Sequence, residues 1–288
     1  MKGESKIADD PFARAAVRRA LEEDVGSGDA TTLALVPPGR VVDAAVLCRG
    51  ECTVSGCDVA ASVFLEVDPR CEIRILVPDG RRAQPGETLM ALRGPAQAIL
   101  TAERTALNFM QRMTGIATLT ARFVDKVRVW HTAILDTRKT TPGLRALEKY
   151  AVRCGGGENH RFGLFDRVLI KDNHRRLCVG ENGDSGLDAA IEKARSSFPK
   201  LLIEVEVEND DELISALKGR PDWILLDNMA PADMARCVSL CAGRVKIEAS
   251  GGVTLENVEE VARSGVTAIS LGCLTHSAPA ADLSLEIT

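Results

Sequence analysis

Six apolar segments, each closing on a polar or glycine residue, recur through the second half of the chain: TAILDTRK, RVLIKDN, LLIEVEVEN, WILLDNM, VKIEASGG and AISLGC. The residues that mark their ends, Asp136, Lys171, Glu206, Asp227, Ser250 and Gly272, stand 21 to 35 residues apart. Such intervals hold one strand and one returning helix. The segments GLDAAIEKARSSF, DDELISALKG, PADMARCVSLC and TLENVEEVARSG supply the helices, with Asp, Ser or Thr near their starts as capping chemistry expects. Strand and helix in alternation predict parallel strands, and polar residues at successive C-terminal ends predict a barrel with its active site on that rim. Six clear strands predict a barrel of fewer than eight, or one closed by a less regular segment. An open doubly wound sheet has the same spacing.

The first half has another rhythm. Residues 11–24 read as an amphipathic helix, and residues 41–90 as short valine-rich strands with turns at Pro78-Asp79-Gly80 and Gln84-Pro85-Gly86-Glu87. A long helical pattern starts near Gln97, and no proline-rich linker intervenes, so this helical region is expected to join the two halves.

Charge is distributed unevenly. The chain of 288 residues carries 36 Lys and Arg against 41 Asp and Glu, so no overall basic field recruits nucleic acid or an anionic membrane. Only 3% of the residues are aromatic, which also disfavours a nucleic-acid binder. Between Asp136 and His174, however, eight Lys or Arg face five Asp or Glu. Arg145, Lys149 and Arg153 have helical spacing and read as a solvated helix face. Arg138, Lys139 and Lys171 differ, because each follows an apolar strand. Arg suits planar carboxylates and Lys suits phosphate as a point charge, so this rim fits a substrate with both groups.

The segment Cys154-Gly155-Gly156-Gly157-Glu158-Asn159-His160-Arg161 adds backbone freedom followed by donors, though a glycine run alone is equally a flexible turn. Glu204, Glu206 and Glu208 alternate along one strand and share a face; Glu208 is expected in solvent, and if that face points into the barrel these carboxylates and Asp227 meet the basic cluster, where magnesium or sugar hydroxyls would suit them. Ser250-Gly251-Gly252 and Gly272 end the last two strands, where such barrels bind phosphate through backbone N–H groups.

Nine cysteines without a Cys-x-x-Cys pair read as reduced thiols in a cytoplasmic protein, and Cys48, Cys52 and Cys57 as packing rather than a zinc site. The opening residues lack an apolar signal core and no run approaches a membrane span.

The block DTRKTTPGLRALEKYAVRCGGGENHRFGLFDRVLIKDNH, followed in order by IEVEVEN, ILLDN, EASGG and ISLG, closely resembles the quinolinate phosphoribosyltransferase family from about residue 20 onward. The resemblance implies an α/β fold: an N-terminal α/β sandwich over residues 1–112, rejoined by the tail 278–288, and an incomplete α/β barrel over 113–277. It implies transfer of phosphoribosyl from 5-phosphoribosyl 1-pyrophosphate to quinolinate, with Mg²⁺ as cofactor and carbon dioxide released, in a homodimer. By the same resemblance quinolinate falls to Thr137, Arg138, His160, Arg161 and Lys171, with Arg104 contributed by the partner subunit. Lys139 is implied to reach the phosphoribosyl substrate, Glu206 and Asp227 the ribose or its magnesium, and Ser250, Gly251 and Gly272 the 5-phosphate. His131, His174 and His276 receive no role. The rivals are a nicotinate-using enzyme of this fold, a relative linked to molybdate transport, and a non-catalytic anion-binding barrel. Retention of Arg104, Arg138, Arg161 and Lys171 together favours quinolinate, which carries two carboxylates.

Overall fold

A computed structural model describes residues 6–178 and 186–287. Residues 1–5, at the start of the expected N-terminal domain, and residue 288, at the end of the expected tail, lie outside the described residues. The chain forms two compact units: Met1–Ala121 with Lys139–Gly157 and Cys273–Thr288, and Arg122–Arg138 with Glu158–Gly272.

In the first unit, strands β1 (Val41–Cys48), β3 (Glu72–Ile75), β5 (Thr88–Pro95) and β12 (Leu283–Ile287) form an antiparallel sheet in the order β12-β1-β5-β3, and β2 (Cys52–Thr53) pairs with β4 (Arg82–Ala83). Along β1, Ala44, Val46 and Cys48 are buried, the alternation of a sheet with one covered face. The tail strand lies antiparallel on β1, with Ala44 opposite Ile287 and Cys48 opposite Leu283. Helices α1 (Pro11–Val25), α2 (Ala30–Leu35), α3 (Cys57–Val67), the 32-residue α4 (Ala96–Val127), α5 (Arg145–Cys154) and α11 (Cys273–His276) complete it, with the last turns of α4 passing into the second unit.

Two expectations need correction here. The stretch read as strands and turns contains α3, because Val59, Ala60, Val63 and Phe64 recur at helical spacing and all are buried. Its start is capped from a distance, with the Asp79 carboxylate accepting from the Gly56 and Cys57 N–H groups at 2.9 and 3.1 Å. Lys149 is 2% exposed rather than solvated; of its two neighbours at helical spacing, Arg153 is exposed and Arg145 half-buried.

The second unit is a parallel sheet of β6 (Ala133–Leu135), β7 (Val168–Ile170), β8 (Ile203–Val207), β9 (Trp223–Asp227), β10 (Lys246–Ser250) and β11 (Ala268–Ser270), in the order β6-β11-β10-β9-β8-β7. From β7 to β11 each strand lies beside its successor, so the sheet winds one way and has no reversal of strand order, as in a barrel rather than a doubly wound sheet. The six expected strands are all present, and β6 is extended by an irregular segment: Glu158 N–H donates to Ile134 O at 2.8 Å and Asp136 N–H to Glu158 O at 3.2 Å. Helices α6 (Asp172–Leu177), α7 (Leu187–Ser197), α8 (Asp210–Lys218), α9 (Pro231–Cys241) and α10 (Val258–Arg263) separate the strands. Their capping departs from expectation: among α7 to α10 only α8 has a side-chain cap, Asn209 accepting from Glu212 N–H, while α9 begins on Pro231. Among the described residues no helix is long and apolar enough to cross a membrane, and all nine cysteines are free thiols.

Within the first unit, α4, α5 and the tail are joined by one buried carboxylate. Glu148 is 1% exposed and accepts from Arg112 Nη2 at 2.8 Å and from Thr141 N–H at 3.0 Å, while Arg112 also donates to the Ala278 and Thr275 carbonyls. Replacing Arg112 with Met leaves this charge to Thr141 alone, and a broken buried pair costs about 3 kcal/mol. Chemical denaturation should show that loss as a lower midpoint.

Candidate active site

Asp136, fully buried, follows β6 directly and organises the loop that faces it. Its carboxylate accepts from the Asn159 amide at 2.5 Å and from the His160 N–H at 2.9 Å, fixing residues 158–160 against the strand end. The next residues, Thr137 and Arg138, are half-buried. Arg161 follows the anchored loop, and its Nη1 donates to Arg167 O at 3.1 Å while its Nε is buried without a hydrogen-bond partner. Burial, then the nearby Arg138 charge, lowers the Arg161 pKa. Two neighbouring guanidinium groups, one incompletely satisfied, have the chemistry that suits an anion.

Lys171 leaves β7 as the N-cap of α6, and its ammonium meets the Glu206 carboxylate on β8. His174 Nδ1 accepts from the Lys171 N–H at 3.0 Å, which gives this histidine the role of fixing the turn beneath Lys171. Glu204 and Glu206 are buried and Glu208 exposed, as the shared-face reading expects for an inward strand face. Asp227 ends β9 opposite Ser250 of β10 and accepts from the Asn228 amide at 3.0 Å.

The loop after β10 requires glycine. Gly251 has φ +89°, and a β-carbon there would collide with the Asn228 side chain, whose backbone N–H donates to Ser250 O at 2.9 Å. Gly272, half-buried, follows β11. Two expected residues belong to the first unit: Lys139, exposed, whose carbonyl accepts from Thr275 Oγ1 at 2.8 Å, and Arg104 on α4, with a side chain 62% exposed and Glu103 4.0 Å away.

Behind Arg161 lies a cluster that joins His160, expected at quinolinate, to Glu204, Glu248 and Arg167, which the sequence reading left without a role. His160 is 8% exposed; its Nε2 is 2.9 Å from Glu204 Oε2 and 3.4 Å from Glu248 Oε2, and its Nδ1 accepts from the Arg161 N–H at 2.7 Å. The donor atoms of His160, Glu204 and Glu248 lie within 4.8 Å of one another, a set suited to a metal ion. Arg167 already supplies positive charge there, its Nη1 3.3 Å from Glu204 Oε2 and its guanidinium over the Trp223 ring at 5.3 Å. Burial opposes a charged His160, yet hydrogen bonds to Glu204 and Glu248 raise it to about 9. An imidazolium, however, would turn a second N–H toward the Arg161 N–H. The Arg161 N–H donated to Nδ1 matches the Nε2–H tautomer, and burial together with the Glu204 charge raises the Glu248 pKa.

Comparison with known proteins identifies the family. The families described as "Quinolinate phosphoribosyl transferase, N-terminal domain" and "Quinolinate phosphoribosyl transferase, C-terminal domain" match residues 29–114 and 116–286. The nicotinate-nucleotide pyrophosphorylase [carboxylating] of Mycobacterium leprae is 44% identical over 281 residues, covering 96% of this chain and 97% of that protein. The probable nicotinate-nucleotide pyrophosphorylase [carboxylating] of Bacillus subtilis is 40% identical over 267 residues, covering 92% of this chain and 90% of that protein. Among solved structures, the nicotinate-nucleotide pyrophosphorylase from Francisella tularensis superposes with a TM-score of 0.91 at 37% identity, covering 99% of this chain and 100% of that one. A human nicotinic acid phosphoribosyltransferase, at 11% identity and a TM-score of 0.57 over 98% of this chain and 74% of that one, shares the fold alone.

The raised pKa of Glu248 has a measurable consequence. Its folded pKa lies above the unfolded value, so the native state is favoured at low pH and loses ground as pH rises through the folded value. Gln cannot ionise. Glu248→Gln should therefore unfold at a higher denaturant concentration than the parent at pH 9, with that advantage shrinking or reversing at pH 5.

Proposed function

The chain belongs to the quinolinate phosphoribosyltransferase family and transfers phosphoribosyl to quinolinate with decarboxylation, giving nicotinate mononucleotide in NAD biosynthesis; we propose here which residues perform each task. The observation that carries the reading is Arg161, a half-buried guanidinium beside Arg138 with its Nε lacking a partner. Quinolinate brings two carboxylates on adjacent ring carbons, and paired N–H···O bonds from planar guanidinium groups suit them. Arg138, Arg161 and Lys171 hold this dianion, with Thr137 and His160 adjoining them. Lys139, the next residue after Arg138, reaches the phosphoribosyl substrate and stabilises the departing pyrophosphate. Ser250, Gly251 and Gly272 receive the 5-phosphate through backbone N–H groups, supported by the positive φ of Gly251.

Glu206 and Asp227 lie at the C-terminal ends of neighbouring strands and present carboxylate oxygens, the hard donors that magnesium takes. They are the residues that would hold it or the ribose hydroxyls. Bound magnesium supplies charge that offsets the pyrophosphate. The pyridine nitrogen donates its lone pair to C1 of the ribose as the bond from C1 to the pyrophosphate oxygen breaks, and the leaving group takes that electron pair. The 2-carboxylate then departs as carbon dioxide, its electron pair remaining at C2 beside the quaternary nitrogen, where a proton from water replaces it. The cations act earlier, by bringing two polyanions together. We also assign this protein to the cytoplasm, supported by nine free thiols.

Purified protein given quinolinate, 5-phosphoribosyl 1-pyrophosphate and Mg²⁺ should release carbon dioxide and nicotinate mononucleotide in equal amounts, and no carbon dioxide without the phosphoribosyl substrate. Mononucleotide formed from nicotinate alone would overturn the substrate assignment. The exposed Arg104 supports a homodimer in which Arg104 of the partner subunit completes the quinolinate site. Mixing and reassociating inactive Arg104→Ala and Arg138→Ala chains should then restore about a quarter of the activity, since only mixed dimers contain one intact site. No recovery would place Arg104 elsewhere.

A further inference from the structure

Four hydrogen-bonding steps around Arg161 close into a circuit. Glu204 Oε2 meets His160 Nε2 at 2.9 Å, and His160 Nδ1 accepts from the Arg161 N–H at 2.7 Å. Arg161 Nη1 donates to Arg167 O at 3.1 Å, and Arg167 Nη1 returns to Glu204 Oε2 at 3.3 Å. Glu204 is wholly buried, so it meets the site only through these neighbours. The circuit grips Arg161 twice, at its backbone N–H and at its guanidinium, and both grips lead back to one carboxylate oxygen.

We propose that Glu204 is a positioning residue for Arg161, acting through His160 on one side and Arg167 on the other, and that His160 serves quinolinate indirectly by fixing Arg161. This deepens the proposed function and rests on its assignment of a quinolinate carboxylate to Arg161. The physical need is plain. A long, flexible guanidinium beside another cation is pushed away by it, and a displaced Arg161 loses the paired geometry that a planar carboxylate demands. Glu204 holds it without neutralising it, because its negative charge is matched by Arg167. The Arg161 guanidinium keeps its own charge for the ligand. Both ring nitrogens of His160 have partners inside the protein, which suits a strut better than a ligand. Asp136 fixes the same residue from its backbone side, at 2.9 Å from the His160 N–H.

Two variants cut the circuit at different points. Glu204→Gln removes the charge that Arg167 and His160 share, and His160→Gln leaves an amide to reach Glu204 but no acceptor for the Arg161 N–H. In both, the quinolinate KM should rise about tenfold, as loss of a charge-assisted hydrogen bond implies, while the KM for 5-phosphoribosyl 1-pyrophosphate stays within about twofold. Hydrogen–deuterium exchange of the Arg161 amide, in protein without substrate, should accelerate at least about tenfold in both variants, the amide having lost its fixed acceptor. Unchanged exchange in both variants would overturn the inference, as would an equal rise in both KM values, which would place Glu204 at the phosphoribosyl substrate or in general folding. If the parent protein does not turn over quinolinate, the function reading falls, and the amide exchange alone decides whether the circuit exists.

Discussion

Cations gathered for an anion repel one another until the anion arrives, and the rim of the second unit is arranged around that difficulty. Arg138 and Arg161 are close enough for one charge to depress the other's pKa, Arg138 at the exit of β6 and Arg161 just after the loop that Asp136 anchors. The barrel interior carries the counterweight. Glu204 and Glu206 point inward from β8, one tied to His160 and Arg167 and the other to Lys171, so negative charge lies with the cations. Two carboxylates meet at His160, and burial with the charge of Glu204 raises the pKa of Glu248 there.

This arrangement explains what was legible in the chain. The six barrel strands announced themselves because a buried parallel strand is an uninterrupted apolar run, and its exit to a solvated rim forces a polar residue at a fixed place. Arg138, Lys171, Glu206 and Asp227 were visible for that reason. The alternation of Glu204, Glu206 and Glu208 gave their common face, and the structure places Glu208 in solvent as expected. Glu248 gave almost no signal: one acid in VKIEASGG is indistinguishable from a strand-end charge until β10 is seen facing β8 across His160. Arg167 was read as one more basic residue, because its partner Glu204 is 37 residues away in sequence.

The first unit shows where local reading fails. Helix α3 lay among strand-like valines because β-branched residues serve either state, and the deciding contact, Asp79 at the helix start, comes from a separate turn. Lys149 shares the spacing of Arg145 and Arg153, and spacing alone cannot tell which side of α5 faces solvent. Glu148, next to it, is likewise buried and belongs to Arg112 and Thr141.

The order in which the chain is made gives β12 another meaning. A growing polypeptide exposes β1 early, yet the strand that covers one edge of β1 is synthesised only after all six strands of the second unit. The later unit can thus be complete while the earlier one still presents Ala44, Ala45, Val46 and Leu47 along an open edge, the kind of surface on which strands of other chains add. Residues Leu283–Ile287 thus close one edge of a sheet begun near residue 41, so a change in that strand bears on an edge laid down far earlier in the chain.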